Sequence, residues 1–230
     1  MARSKTPRAK ESPRPPLPPP LPPETRTVGQ LVAETLRLYG QRPFAALAVG
    51  VPFAVVEQVA VGLDRRGVFL TLATLGSALL SVSFVAASAV VAGIRPSLTT
   101  AVTAGACGAL VFIPAPFLLV LFVLPAVAWL ALFGLVVPAV TIEGLGARAG
   151  FRRGYDLARA DFVHALGSLA TLAILFFLTR LVLFFLLRDS ADAGGRAALA
   201  LADIVISPVL FIGAALLYYD QAARVKPGRV

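Results

Sequence analysis

Between Arg95 and Glu143 the chain runs for 47 residues without a charged side chain. As one α-helix this run would be about 70 Å long, more than twice the ~30 Å of a bilayer's hydrocarbon core. It therefore has to cross a membrane twice. Pro114, Pro116 and Pro125 interrupt it, and a reversal near Pro125 predicts spans over 106–124 and 126–142. On the same reasoning Pro43 to Leu63, broken only by Glu57 and Gln58, and the uncharged Val68 to Ile94 predict spans over 43–63 and 68–94. The fifth, 162–187, carries Arg180, and the sixth, 197–219, carries Asp203. With 58% hydrophobic and 14% charged residues the chain lies outside the soluble range, where about a quarter of residues are charged. The expected fold class is an all-α integral membrane protein of six transmembrane helices arranged as three hairpins.

The net charge of +9 would by itself suggest nucleic acid, but its distribution argues otherwise. If the N-terminus is cytoplasmic and there are six spans, 16 of the 21 Lys and Arg residues fall on the cytoplasmic side, four fall outside, and Arg180 lies within a span. This is the positive-inside pattern, with both termini cytoplasmic. The expected partners are membrane lipids, through anionic headgroups at the cytoplasmic face, with room for a protein partner and no role for nucleic acid.

Three regions follow from these boundaries. Residues 1–26 hold nine prolines and six basic residues, a composition with no apolar face to bury, and are expected to be a disordered Pro-rich tail rather than a signal peptide. The membrane domain is expected over 27–224, followed by a basic tail over 225–230. At its start, Thr27 and Gln30 form a capping-box pattern, and Val28, Leu31, Val32, Thr35 and Tyr39 share one helical face. This predicts an amphipathic helix lying on the bilayer surface. Ala147, Phe151, Tyr155, Ala158 and Phe162 predict a second such helix before the third hairpin, and the polar run Ser97, Thr99, Thr100 and Thr103 a weaker one before the second. Three repeated units of interfacial helix plus hairpin result. Ala46-x3-Gly50, Gly50-x3-Ala54 and the series Ser77, Ser81, Ser88 and Ala92 offer small faces for close helix contact.

No residue pattern points to catalysis. One His and one Cys exclude a His-Glu-x-x-His motif and a Cys/His zinc site, and no nucleophile elbow or phosphate-binding glycine fingerprint occurs. We expect no catalytic residue, cofactor or metal. His164 is read as an interfacial side chain facing headgroups. The candidate sites are charges. Glu57, Arg180 and Asp203 interrupt apolar spans at a common depth of about 9–10 Å from the outer edge, counted at 1.5 Å per residue. A charge there costs at least about 2.5–3.5 kcal/mol unless paired. We expect an Arg180–Asp203 pair with Glu57 as second partner. Glu143, Arg152, Arg153, Arg159, Asp220 and Arg224 all fall at the cytoplasmic boundary and predict a second ion-pair cluster.

Val137-Pro138-Ala139-Val140-Thr141-Ile142-Glu143-Gly144, then Arg152-Arg153-Gly154-Tyr155-Asp156-Leu157-Ala158-Arg159, resembles the core motif of a bacterial family. That family comprises the membrane domain of glycerophosphoryl diester phosphodiesterase and related small membrane proteins. Ser207-Pro208 and Leu217-Tyr218-Tyr219-Asp220-Gln221-Ala222-Ala223-Arg224 are similar to its closing signature, and Val28-Gly29-Gln30-Leu31 with Tyr39 to its opening helix. Gly154 and Asp161 depart from the pattern. The resemblance implies a polytopic α-helical domain, expected in the bacterial inner membrane, and does not imply catalysis, because the family's phosphodiesterase activity resides in a separate soluble barrel. The expected function is a non-enzymatic scaffold or accessory protein contacting anionic lipid or a partner. The alternative is a small-solute transporter or lipid-handling protein with its site at Glu57, Arg180 and Asp203.

Overall fold

The computed structural model describes residues 22–187 and 193–225. Residues 1–21 and 226–230, which make up most of the two expected tails, lie outside the described residues. So does Arg188, one of the four basic residues assigned to the outer side. The described chain is helical throughout, with no strand among the described residues. Six stretches are long and apolar enough to cross a membrane: Pro43–Ala60, Arg65–Ala92, Leu98–Leu121, Val123–Glu143, Phe162–Leu186 and Gly194–Arg224.

Local chemistry explains most boundaries. Helix α1 (Val28–Gln41) starts at Thr27, whose hydroxyl accepts the Gln30 N–H while the Gln30 side chain accepts the Thr27 N–H. Each satisfies an amide that a helix start would otherwise leave unpaired. Pro43 opens α2 (Pro43–Ala60) at the position where its missing N–H costs nothing. Span two consists of α3 (Arg65–Thr71), a π-helical turn over Leu72–Gly76, and α4 (Ser77–Ala92). Gly93 ends α4 in the left-handed conformation, φ 66°.

The central uncharged run forms two spans, as its length requires. Span three is α5 (Leu98–Phe112) and α6 (Ala115–Leu121), and span four is α7 (Val123–Phe133) and α8 (Val136–Glu143). The reversal falls at Phe122, in extended backbone, one turn before Pro125. Pro125 sits in the first turn of α7, where backbone N–H groups have no intrahelical partner, so it favours a helix start and does not make the turn. The break between α5 and α6 frees carbonyls in the last turn of α5, and Trp129 Nε1–H donates to one of them, Val111 O, at 2.8 Å. No separate helix precedes span three: Ser97 caps α5 directly, its Oγ accepting the Thr100 N–H, and the polar run forms the first turns of the span.

Helix α9 (Ala147–Ala160) leads to α10 (Phe162–Leu187) and α11 (Ala193–Arg224). Helix α11 is the hub, packing on α2, α4, α10 and α1, while α4 packs on α2, α5 and α8. Val49, Val136, Val137, Leu157, Ile212 and Leu217 are fully buried in the core. Helix α10 lies at the periphery, with Leu178, Leu181, Phe184 and Leu186 exposed. We call proximal the end of the bundle carrying Arg26, Glu143 and Arg224, and distal the opposite end, carrying Arg65.

Two amphipathic helices turn their inner faces to protein rather than to lipid. In α1, Leu31 and Thr35 are buried, and the helix packs on α11 and α10. In α9 the buried residues are Gly150, Gly154, Leu157 and Ala158. Of the expected face Ala147, Phe151, Tyr155, Ala158 and Phe162, Ala158 is buried and Phe151 packs on the core, while Ala147 and Tyr155 are exposed, so the docking stripe is rotated toward the glycines. A Cβ on Gly154 would lie 2.6 Å from the Val136 backbone N, so α9 seats on α8 through its glycines, while Tyr155 stacks on Phe133 at its edge.

The small face of α2 is the face that meets α11. Ala46, Gly50 and Ala54 are buried, and a Cβ on Gly50 would collide with the backbone carbonyl of Ile204. Backbone cannot retreat as a side chain can. Gly50→Ala is therefore expected to destabilise the fold by about 1–3 kcal/mol, read by denaturant titration in bicelles. An unchanged midpoint would show that α2 and α11 are further apart than described.

Candidate functional site

Glu57 lies one turn before the end of α2, Arg180 near the distal end of α10, and Asp203 in the distal third of α11. The structure brings all three together. Arg180 Nη2 lies 3.1 Å from Glu57 Oε2, and Arg180 Nε lies 3.1 Å from Asp203 Oδ1. Asp203 is almost fully enclosed, its side chain 4% exposed, whereas those of Arg180 and Glu57 are 28% and 30% exposed. The rings of Phe53 and Phe176 stand 5.8 and 5.9 Å from the guanidinium carbon and pack edge to face on one another. A planar guanidinium presents several N–H donors at fixed angles, so one arginine can bind carboxylates from two other helices at once. The triad ties spans one, five and six.

The expected boundary cluster is two separate networks. In the first, Glu143 Oε1 accepts from Arg153 Nε at 2.9 Å and from the Tyr218 hydroxyl. Gly144, at φ 67°, turns the chain so that α9 folds back along α8 and places Arg153 opposite Glu143. Glu143, Arg153 and Tyr218, from three separate helices, thus meet.

The second network centres on Asp220, whose side chain is fully buried. Its Oδ1 pairs with Arg26 Nη1 at 2.7 Å, and its Oδ2 is 3.7 Å from His164 Nε2. Arg224 reaches Asp161 Oδ2 at 2.6 Å, the Arg26 carbonyl at 3.0 Å and His164 Nε2 at 3.3 Å. Gln221 Nε2 donates to the Asp161 carbonyl at 3.0 Å. The His164 backbone N–H, followed by Arg224, holds the Asp161 carboxyl below its ordinary range by stabilising the charged form. The segment before α1, the α9–α10 junction and the end of α11 are thereby joined.

Several expectations are corrected by this arrangement. Arg152 and Arg159 belong to neither network. Arg152 is 84% exposed and only 4.0 Å from Asp156, and Arg159 lies over the Tyr155 ring at 5.5 Å. Both sit on the side of α9 away from its glycine stripe. His164 points into the bundle rather than toward headgroups, because Asp220 and Arg224 lie on its inner side. Arg26, placed in the tail by its prolines, is 8% exposed and follows a 3-10 turn over Pro23–Thr25. Arg26, Asp161, His164, Tyr218 and Gln221 were missed as site residues. The available signal was that Asp220 and Gln221 continue an apolar helix and so need partners on burial.

Among the described residues no group of three His, Cys, Asp or Glu could hold a metal ion. Cavities also lie among the described residues, three of which bear on the charges. A small cavity of about 70 Å³ lies against Phe84, Phe112 and Phe211. A groove of about 360 Å³ runs between α1, α10 and α11 along Tyr39, Phe176 and Ile206. A larger groove, about 650 Å³, separates α3 from α6 at the distal end. All three are predominantly apolar, and none is lined by Glu57, Arg180 or Asp203. No protein-family model, curated protein or solved structure matches this chain.

Proposed function

We propose that this chain is a non-enzymatic, multi-pass protein of the bacterial inner membrane, with both termini cytoplasmic, acting as a scaffold or accessory protein. Its basic cytoplasmic rim contacts anionic lipid or a protein partner. The observation that carries the reading is the contrast between its two classes of charge. At membrane depth, Arg180 is closed on two carboxylates, and the neighbouring cavities are apolar. At the proximal end, Arg95, Arg148, Arg152 and Arg159 are exposed around the bundle. In this reading the proximal end is cytoplasmic, the spans form three hairpins, and α1 and α9 lie at the membrane boundary with their outer sides toward headgroups. The motif resemblance, which implies a polytopic membrane domain and does not imply catalysis, supports the same reading.

The experiment is thermal unfolding in nanodiscs of phosphatidylcholine with and without phosphatidylglycerol. Stability is expected to rise with the anionic lipid. The rise should shrink when Arg148, Arg152 and Arg159 are changed to Gln, and also in high salt, since surface attraction is worth about 1 kcal/mol per basic side chain and is screened. No dependence on lipid charge would overturn the lipid-contact reading. The partial exposure of Glu57 and Arg180 favours the second reading, a small-solute transporter or lipid-handling protein. Proteoliposome flux that Arg180→Gln abolishes in a folded protein would establish that reading instead.

A further inference from the structure

The distal groove between α3 and α6 arises from two departures from regular helix at one level of the bundle. In span two the π-helical turn Leu72–Gly76 widens the backbone, and in span three the helix stops at Phe112 and resumes at Ala115 beside Pro114 and Pro116. Proximal to these points the two spans pack tightly: a Cβ on Gly108 would lie 2.7 Å from Ser81 Oγ. Distal to them α3 and α6 part, bridged by the edge-to-face pair Phe69–Phe117 with centroids 4.6 Å apart. The opening is about 650 Å³, lined by Phe69, Leu72, Pro116 and Val120 and edged by Arg65 and Arg66. This volume is within the roughly 300–1,000 Å³ of ligand-sized clefts, and π-turns in α-helices are frequent at functional sites.

Arg65 and Arg66 are exposed, and neither belongs to an ion pair among the described residues. The adjacent carboxylate, Asp64, is engaged by the Gly67 backbone N–H at 2.9 Å. From Arg65 to Leu72 the helix rises about 10 Å, most of the hydrocarbon depth of one leaflet. An apolar channel of that length, opening laterally at membrane depth and ending in two cationic side chains at the boundary, matches one chemistry. We propose that it binds a phospholipid of the distal leaflet, with an acyl chain along Phe69, Leu72, Pro116 and Val120 and the headgroup phosphate between Arg65 and Arg66. On the orientation proposed above this is the outer leaflet, so the site is separate from the basic cytoplasmic rim.

The test is photo-crosslinking of full-length protein in nanodiscs doped with phosphatidylglycerol carrying a diazirine in its acyl chain, with labelled peptides mapped by mass spectrometry. Labelling is expected to concentrate on 68–72 and 116–120. Competition by unlabelled phosphatidylglycerol should be about thirty-fold weaker for Arg65→Gln/Arg66→Gln, the loss of two surface cations. Val120→Trp, which fills the groove without touching the arginines, should abolish labelling there, and Arg148→Gln/Arg152→Gln at the proximal end should leave it unchanged. Soluble glycerophosphoglycerol should not compete. Even labelling of lipid-facing helices such as α10, equal competition in the double-arginine variant, or equal competition by diacylglycerol lacking phosphate would each overturn the proposal.

Discussion

Arg180→Ala is expected to destabilise the folded protein by about 3–5 kcal/mol, the cost of removing one partner from a buried ion pair. The variant leaves the carboxylates of Glu57 and Asp203 on neighbouring helices without the guanidinium that stood 3.1 Å from each. At this depth little water is available to replace it. The loss can be read by steric trapping or denaturant titration in bicelles, with wild type as reference. A double-mutant cycle isolates the pair: Arg180→Ala with Asp203→Ala should cost less than the sum of the single changes, because each single change strands what the double removes. Additive costs would show that the two groups do not interact. Replacing all three residues, as Glu57→Gln/Arg180→Met/Asp203→Leu, should recover much of the stability, since a desolvated triad opposes folding almost as much as its pairing supports it. If the neutral triple variant folds but a measured activity is lost, the triad has a role beyond tying helices.

Asp220→Ala is expected to have an effect of the same order, about 3–5 kcal/mol, for a related reason. Arg26 is buried with its guanidinium 2.7 Å from Asp220, and in the variant its charge has no counterpart within the bundle. The consequence should extend beyond global stability. Arg26 is how the segment before α1 is held to the end of α11, some 194 residues away in sequence. Release of that contact exposes the Arg26–Thr27 bond, so trypsin should cut there faster in Asp220→Ala than in wild type under conditions where the bundle stays folded. Cleavage at the wild-type rate would mean that the 3-10 turn over Pro23–Thr25 and the capped start of α1 hold the segment without the ion pair. Arg26→Gln provides a complementary measurement, with loss of stability but no tryptic site.

Which parts of this architecture were legible beforehand follows from the physics of each signal. Counting uncharged residues located six spans because backbone in hydrocarbon has to satisfy its own hydrogen bonds, and the only economical way is an uninterrupted helix of bilayer length. The same counting placed Glu57, Arg180 and Asp203 at one depth, and since unpaired charge there is so costly, shared depth was enough to suggest that they meet. The small residues Ala46, Gly50 and Ala54 marked the inner side of α2 for a comparable reason, as backbones approach closely only where side chains are small.

Other features were hidden. Nothing in the order of residues distinguishes Arg153, which binds Glu143, from Arg152, which points to solvent, because one residue is a 100° rotation about the helix axis. In α9 the docking face is centred on Gly150 and Gly154, which carry no hydrophobic side chain, so the apolar pattern caught only one edge of it, at Phe151 and Ala158. Arg26 was assigned by the prolines before it, although its partner lies at the far end of the chain.

The sequence by itself determined six stretches long and apolar enough to cross a membrane, the matching positions of Glu57, Arg180 and Asp203 along their helices, and the capped start of α1, since length, hydropathy and capping act within one helix. The tertiary structure alone decided how each helix is turned about its axis, and with that which charges pair, why His164 faces inward and where α3 and α6 part to leave a groove. A span that is apolar on every side shows no preferred face in its own composition. Its rotation is set only when a neighbouring helix supplies a carboxylate, a glycine or an aromatic ring for it to meet.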